Sequence, residues 1–296
     1  MANLHRSGHE VIATSLEIPA DQPGGLRWEA LDLTDGPSVL QSIPSLRPDA
    51  VVHCAAQASV GASWDNPTAT YRTNIEGTGN LLEAVKDLKP RVLLVGSAQQ
   101  YAASPEGRPL TETDPQLAGS PYALTKIAQE QMGLMYLQQY GVPVAFTRSF
   151  NHTGPGQTAD YAVGSFASQI ARLEQQGGGE MQVGNLDARR DFLDVRDVVR
   201  AYAGLVESGE PGQAYNVCSG HAVRMGDVLD KLLELSGLTQ KIRVHPQTRH
   251  VSDEADLLVG DPSKLSAATG WTPQLSLDRS LLDTLDWYRS ALEGRQ

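Results

Sequence analysis

Short apolar runs alternate with longer segments whose apolar residues recur at helical spacing. Residues 9–14, after Gly8, and 50–54 read as strands, with polar or helical sequence between them. The run Val-Leu-Leu-Val-Gly-Ser at 92–97 reads as a buried strand that ends in a hydroxyl. Residues 68–88 read as a helix with Leu81, Leu82 and Val85 on one face, 122–140 as a second long helix, and 142–146 as a further strand. Strands separated by helices imply parallel βαβ units. After Phe150 the chain turns rich in Gly, Asn and Pro, as expected where it leaves a sheet and lines a ligand site. The triplet Gly177-Gly178-Gly179 precedes the strand-like Met181-Gln182-Val183 and no helix follows it, so a flexible connector is expected there rather than a phosphate loop.

With 296 residues, 40% hydrophobic and 20% charged, the chain can bury a full core and carries no low-complexity tract. A net charge of −11 and the lack of a basic run argue against a nucleic-acid surface. Any anionic ligand must therefore be held by a few placed cations. Cys54 and Cys218 each sit in an apolar strand-like run, which predicts two buried thiols and no disulfide, as suits a reducing cytoplasm. The sequence shows no bilayer-length apolar stretch and no charged-then-apolar signal segment, and its seven His residues lack the close spacing of a zinc site.

Tyr122 and Lys126 stand four residues apart in Ser-Pro-Tyr-Ala-Leu-Thr-Lys, which places a phenol and an ammonium on one helical face. A cation beside a phenol lowers its pKa, so the pair is expected to move a proton near neutrality. The plain alternative is an exposed Tyr and Lys on an ordinary helix.

Further motifs supply the context. Ser97 lies four residues before Tyr101, His53-Cys54-Ala55-Ala56 follows a strand, and Asn74 opens Asn-Ile-Glu-Gly-Thr. Arg190-Asp191-Phe192 and Gly270-Trp271-Thr272-Pro273 follow downstream. In this set the chain resembles the extended short-chain dehydrogenase/reductases over almost its whole length. Ser59-Val60 with Ser63-Trp64, the block from Arg148 to Gln157 (Arg-Ser-Phe-Asn-His-Thr-Gly-Pro-Gly-Gln) and Val183-Gly184-Asn185-Leu186 resemble the GDP-mannose branch of that family.

The resemblance implies an α/β fold, a doubly wound Rossmann-type parallel sheet with a smaller C-terminal substrate lobe. Residues 1–150 would form the dinucleotide-binding domain, with 187–218 returning to it, and 151–186 with 219–296 would form the lobe. It implies NADP or NAD as cofactor, a GDP-sugar substrate and a homodimer formed through the two long helices. The reaction implied is NAD(P)H-dependent reduction of the 4-keto group of a GDP-4-keto-6-deoxy-mannose sugar to GDP-D-rhamnose. GDP-mannose 4,6-dehydration, 4-epimerisation and a catalytically degenerate nucleotide-sugar-binding protein are the alternatives.

By the same resemblance Tyr122 donates the proton, Ser97 hydrogen-bonds the carbonyl oxygen, and Lys126 supports the tyrosinate and holds the nicotinamide ribose. Asp32 and Leu33 face the adenine, and Ala55, Ala56 and Asn74 line the dinucleotide path. Asn151 and Arg190 contact the diphosphate, with a structural Arg190–Asp191 ion pair as the alternative. Val183 to Leu186, including Asn185, floor the guanine, and Arg249 is a second phosphate candidate. Ser15-Leu16-Glu17 carries no Arg where an NADP-preferring turn would have one. Gln99 stands where the related dehydratases carry an eliminating Glu, and an amide cannot shuttle that proton.

A dinucleotide fold of this kind opens with a strand, a Gly-x-x-Gly-x-x-Gly turn and a helix whose N-terminal amides hold the pyrophosphate. No such turn occurs in the sequence, and Met1 to Val11 resemble the end of that first helix and the entry to the second strand. A late start codon, a truncation or a degenerate site would each account for it. The chain as written is expected to bind dinucleotide weakly.

Overall fold

A computed structural model describes residues 2–20, 26–104, 107–246 and 257–294. Helix α1 (Ala2–Arg6) leads to β1 (Ile12–Ser15), β2 (Arg27–Ala30), α2 (Gly36–Leu46) and β3 (Ala50–His53). Next come α3 (Val60–Asp65), α4 (Pro67–Tyr71), a π-helical turn (Arg72–Glu76) and α5 (Gly77–Val85). Strand β4 (Arg91–Ser97), a 3₁₀ turn (Ala98–Gln100), α6 (Pro121–Tyr140) and β5 (Val144–Ser149) complete the first half. The second half runs β6 (Asn151–Thr153), α7 (Ala162–Gln176), β7 (Gly179–Val183), β8 (Arg189–Asp194), α8 (Val195–Ser208) and β9 (Ala214–Val217). It ends with β10 (Ala222–Arg224), α9 (Met225–Ser236), β11 (Ile242–Pro246), β12 (Leu257–Leu258), α10 (Ser263–Thr269) and α11 (Leu277–Glu293).

Four parallel strands in the order β3-β4-β5-β9 form the main sheet, and β1 pairs with β2 in a separate parallel sheet. No described strand joins β1 to β3, the place where the doubly wound order puts the expected first strand. Every residue of β5 is buried, because strands flank it on both sides and helices cover both faces. One face packs Leu81, Leu82, Val85, Val142 and Phe146 with α2, α5 and α6. The other packs Leu93, Val198, Leu205, Tyr215 and Trp271 beneath α8 and α10.

The smaller sheets follow a different logic. β8 pairs with β6, β10 and β12, while β7 pairs with β11. The chain therefore crosses from the smaller sheet at Asp194 to the main one, where α8 and β9 belong. Asp194 marks the crossing by capping α8, its carboxylate accepting from Arg196 N at 2.7 Å. Helices α7, α9 and α11 enclose a second core with Phe166, Ile170, Met181, Leu229 and Leu281. Among the described residues no helix is long and apolar enough to cross a membrane.

The helix expected over 68–88 runs instead from Pro67 to Val85, with the π turn inside it. The buried residue of that turn is Asn74. Cys218 is buried as expected, but Cys54 is exposed. It lies one residue past the end of β3, where the chain has already left the covered sheet.

Candidate active site

Ser97 is the last residue of β4 and the cap of the 3₁₀ turn, its Oγ accepting from Gln99 N at 3.2 Å. The strand bends tightly there. A Cβ on Gly96 would stand 2.3 Å from Thr147 O and 2.5 Å from Gln100 Oε1, so only glycine fits beneath the turn.

Helix α6 starts where sequence chemistry dictates. Ser120 accepts from Ala123 N at 3.1 Å, and Pro121 fills the first helical position. Ser63 of α3 reaches across and accepts from Tyr122 N at 3.2 Å, so a second element fixes the helix entrance. One turn on, Lys126 Nζ donates to Val95 O at 2.8 Å and lies 5.8 Å from the centre of the Tyr122 ring. The helix thus ties the phenol and the ammonium to the strand that carries Ser97.

The electrostatics correct one expectation. Burial pushes the Tyr122 phenol up to about 12, with the nearby Ser97 hydroxyl opposing the rise. Burial also pulls Lys126 down to about 8. The expected lowering of the Tyr122 value by Lys126 is not found, because desolvation of a nearly enclosed phenol dominates. A phenol held protonated at neutral pH is the form that donates to an alkoxide.

Behind the pair lies a buried polar network. His53 Nε2 meets Thr78 Oγ1 at 2.9 Å, Gln129 Nε2 donates to the same oxygen at 2.6 Å, and Thr78 donates to Asn74 O at 2.6 Å. Asn74 in turn donates to Thr125 Oγ1 at 2.9 Å. Burial, aided by the charge of Lys126, drives His53 down to about 3, so the ring is neutral.

The expected adenine and wall residues are dispersed along the strand ends. Asp32 is exposed, and its Oδ1 accepts from Thr34 N and Thr34 Oγ1, both at 2.8 Å, which lowers its pKa. Leu33 is half-buried, and its carbonyl accepts from Asn80 at 2.8 Å. Ala55 is exposed and Ala56 half-buried in the loop after β3. Asn74 is fully buried, so it braces that loop from behind and does not line its open side.

Of the expected substrate residues, Asn151 and Asn185 are exposed, Asn185 Oδ1 accepting from Asp187 N at 2.9 Å. Val183 is 4% exposed and packs into the second core, so its side chain is not a floor for a base. Arg190 is buried in β8 and donates from Nη1 to Arg189 O at 3.0 Å. Asp191 is engaged elsewhere, accepting from Ser219 N, Ser219 Oγ and Gly220 N at 2.7, 2.6 and 2.9 Å. Arg249 lies outside the described residues.

A dinucleotide is the cofactor that this fold implies. Gln57 Oε1 and Trp28 Nε1 are buried without a partner among the described residues, and each lies on or just after a strand of the expected binding edge. Two unpartnered buried polar atoms at these strand ends are the kind of groups that a bound dinucleotide would satisfy.

The profile of the GDP-mannose 4,6 dehydratase family matches residues 6–284. GDP-6-deoxy-D-mannose reductase of Pseudomonas aeruginosa is 35% identical over 261 residues, covering 86% of this chain and 85% of that protein. GDP-mannose 4,6 dehydratase 2 of Arabidopsis thaliana is 29% identical over 84% of this chain and 68% of its own length. The solved structure of RMD from Pseudomonas aeruginosa complexed with NADPH superposes with a TM-score of 0.81 at 34% identity, covering 89% of this chain and 91% of that one. The Thermus thermophilus UDP-glucose 4-epimerase complex with NAD gives a TM-score of 0.86 at 29% identity, covering 98% and 94%.

Proposed function

The chain belongs to the GDP-mannose 4,6-dehydratase family of extended short-chain dehydrogenase/reductases, and on that premise we propose that it reduces the 4-keto group of a GDP-4-keto-6-deoxy-mannose sugar to GDP-D-rhamnose. The cofactor is NADPH or NADH, which supplies the hydride. Tyr122 delivers the proton to the developing alkoxide, and the buried site keeps the phenol protonated until then. Ser97 donates its hydroxyl hydrogen to the carbonyl oxygen, because its oxygen already accepts from Gln99 N. Lys126, one turn along α6, holds the ribose and balances the tyrosinate that proton transfer leaves.

Gln99 carries the choice of reaction. It is half-buried at the turn after Ser97, where an elimination needs an acid, and a carboxamide neither takes nor gives a proton at neutral pH. Arg190, Asn151 and Asn185 are proposed for the sugar nucleotide, on the side of the smaller sheet. A second copy is proposed against the outer face of α6, where Leu124 and Met135 are exposed three turns apart on one stripe. The test of the reading is stoichiometry: purified protein with GDP-4-keto-6-deoxy-mannose should consume one reduced cofactor per sugar. An epimerase would recycle its cofactor and consume none.

A further inference from the structure

Beneath Ser97 runs a chain of buried polar groups that begins as the capping box of the 3₁₀ turn and extends beyond it into groups the proposed chemistry does not yet use. Gln100 is wholly buried, and its Oε1 accepts from Ser97 N at 2.8 Å. Its Nε2 donates to Glu130 Oε2 at 3.0 Å. Glu130 lies on the buried side of α6, two turns from Tyr122, and is itself clamped by Arg148 of β5. Arg148 Nε meets Glu130 Oε2 at 3.1 Å and Nη2 meets Oε1 at 2.7 Å. The third guanidinium nitrogen, Nη1, donates to Glu112 O at 3.0 Å, and the group lies 4.9 Å from the centre of the Tyr101 ring.

The geometry points to Gln100 as a positioning residue for the proposed reduction, one that sets the Ser97 hydroxyl against Tyr122 through an orientation imposed by the Glu130–Arg148 pair. A carboxamide can turn over and exchange its donor and acceptor ends. Here it cannot. The Glu130 carboxylate only accepts, so it takes the NH₂ end, and the oxygen is turned towards Ser97 N. That bond fixes the Ser97 backbone in its extended conformation, φ −146° and ψ 147°, at the point where the strand becomes the 3₁₀ turn. With the backbone fixed and one lone pair of Oγ taken by Gln99 N, the hydroxyl hydrogen is left to be donated into the site.

A role confined to folding accounts for these groups less well. The capping bond to Ser97 N accounts for one end of Gln100, but it does not require the buried Glu130–Arg148 pair at the other, which gains little stability over apolar side chains of the same volume. The arrangement it fixes joins both halves of the catalytic pair. Glu130 rides on the helix that carries Tyr122, and Gln100 holds the strand end that carries Ser97. Glycine at 96 completes the fit, since a Cβ there would collide with Gln100 Oε1.

This inference rests on the reductase reading for its kinetic arm, so the test has a second arm that needs no substrate. The protein is prepared with tyrosine labelled at ¹³Cζ, and the Tyr122 resonance is identified by its loss in Tyr122→Phe. Gln100→Met removes both amide ends at similar volume. Gln100→Asn keeps an amide too short to reach both partners, and is read if the Met variant does not fold. In the folded variant the Tyr122 resonance should move to the position it takes in Ser97→Ala. Glu130→Gln, whose amide can donate as well as accept and no longer pairs with the Arg148 charge, releases the imposed orientation and should move the resonance the same way as the Gln100 variants. With the keto sugar, kcat should fall about 10- to 100-fold at little-changed KM, the range expected for a misplaced catalytic group. A Tyr122 resonance that stays at the wild-type position in the folded Gln100 variant overturns the proposal. Wild-type protein that fails to reduce the keto sugar overturns the reductase reading instead, and leaves the resonance arm to judge Gln100.

Discussion

Asn74 holds the backbone of Gln57 at both its donor and its acceptor, accepting from Gln57 N at 2.7 Å and donating to Gln57 O at 3.0 Å. The two residues lie on different elements, Gln57 in the loop after β3 and Asn74 in the π turn within the helical run from Pro67 to Val85. The same amide donates to Thr125, whose hydroxyl donates to Tyr122 O at 2.7 Å. The loop after β3 and the helix bearing the catalytic pair are thereby locked to one side chain.

Asn74→Ala should therefore cost about 1–3 kcal/mol of stability, because the Gln57 N–H and carbonyl lose a paired partner in a partly buried setting. Denaturant unfolding measures the loss, and isothermal titration should show weaker dinucleotide binding alongside it. A variant as stable as wild type would mean that water or another side chain serves Gln57 equally well.

Tyr122→Phe removes the proton donor and leaves the packing of α6 intact, since the ring stays and its backbone N–H is still taken by Ser63. Turnover should drop by about 10²-fold or more, the usual scale for a lost general acid. Retention of half the wild-type rate, in protein with an unchanged melting curve, would remove Tyr122 from the mechanism.

Much of this was legible in the sequence. Strand 92–97 and helix 122–140 gave the place of Ser97, Tyr122 and Lys126, because long periodic segments and a Ser-Pro cap are local signals. The roles of Asn74, Gln100 and Ser63 were not legible. Each acts through a partner from another element, and burial of a polar side chain leaves no periodic trace. Asn74 was expected to face the cofactor, and it lies fully buried in a π turn, a feature invisible to helical spacing. The direction of the Tyr122 shift also escaped the sequence, since four-residue spacing shows that Lys126 is near but not that both groups are enclosed.

Gln99 predicts what the protein does not make. Incubated with GDP-mannose and oxidised cofactor, it should accumulate no 4-keto intermediate, because the amide cannot serve the elimination of water. Chromatography of the nucleotide sugars decides this. A growing keto peak would reverse the choice between reductase and dehydratase.

Lys126 gives the rate an alkaline limb. Its ammonium is charged below about 8 and neutral above, so the support for a tyrosinate fades as pH climbs through that value. The proposed reduction, followed at saturating substrates, should lose rate with an apparent pKa near 8, and Lys126→Met should be slow and nearly flat from pH 7 to 9. Stability runs the opposite way. Between about 8 and the ordinary 10.5 the unfolded chain holds a proton that the folded one has released, so the contribution of Lys126 to stability rises with pH there. An unchanged alkaline limb in the Met variant would assign it to another group.

His53 governs the acid side of stability. Buried at the end of β3, it is held neutral down to about 3, against an ordinary value of 6.5. Between those values the unfolded chain binds a proton that the folded chain refuses. The stability that His53 contributes is therefore intact above 6.5 and is lost progressively as pH falls towards 3. Taking the protein from pH 7.5 to 4.5 should cost roughly 2–3 kcal/mol through this residue alone. His53→Gln keeps a hydrogen-bonding group beside Thr78 and Gln129 but has nothing to protonate. Urea unfolding of both proteins at the two pH values isolates the effect, because every other titrating group is shared. The variant should lose less stability on acidification than the wild type by about that amount, whatever its stability at pH 7.5. Equal losses in the two proteins would show that the ring takes up its proton inside the fold, and that the network around Thr78 rearranges to receive it.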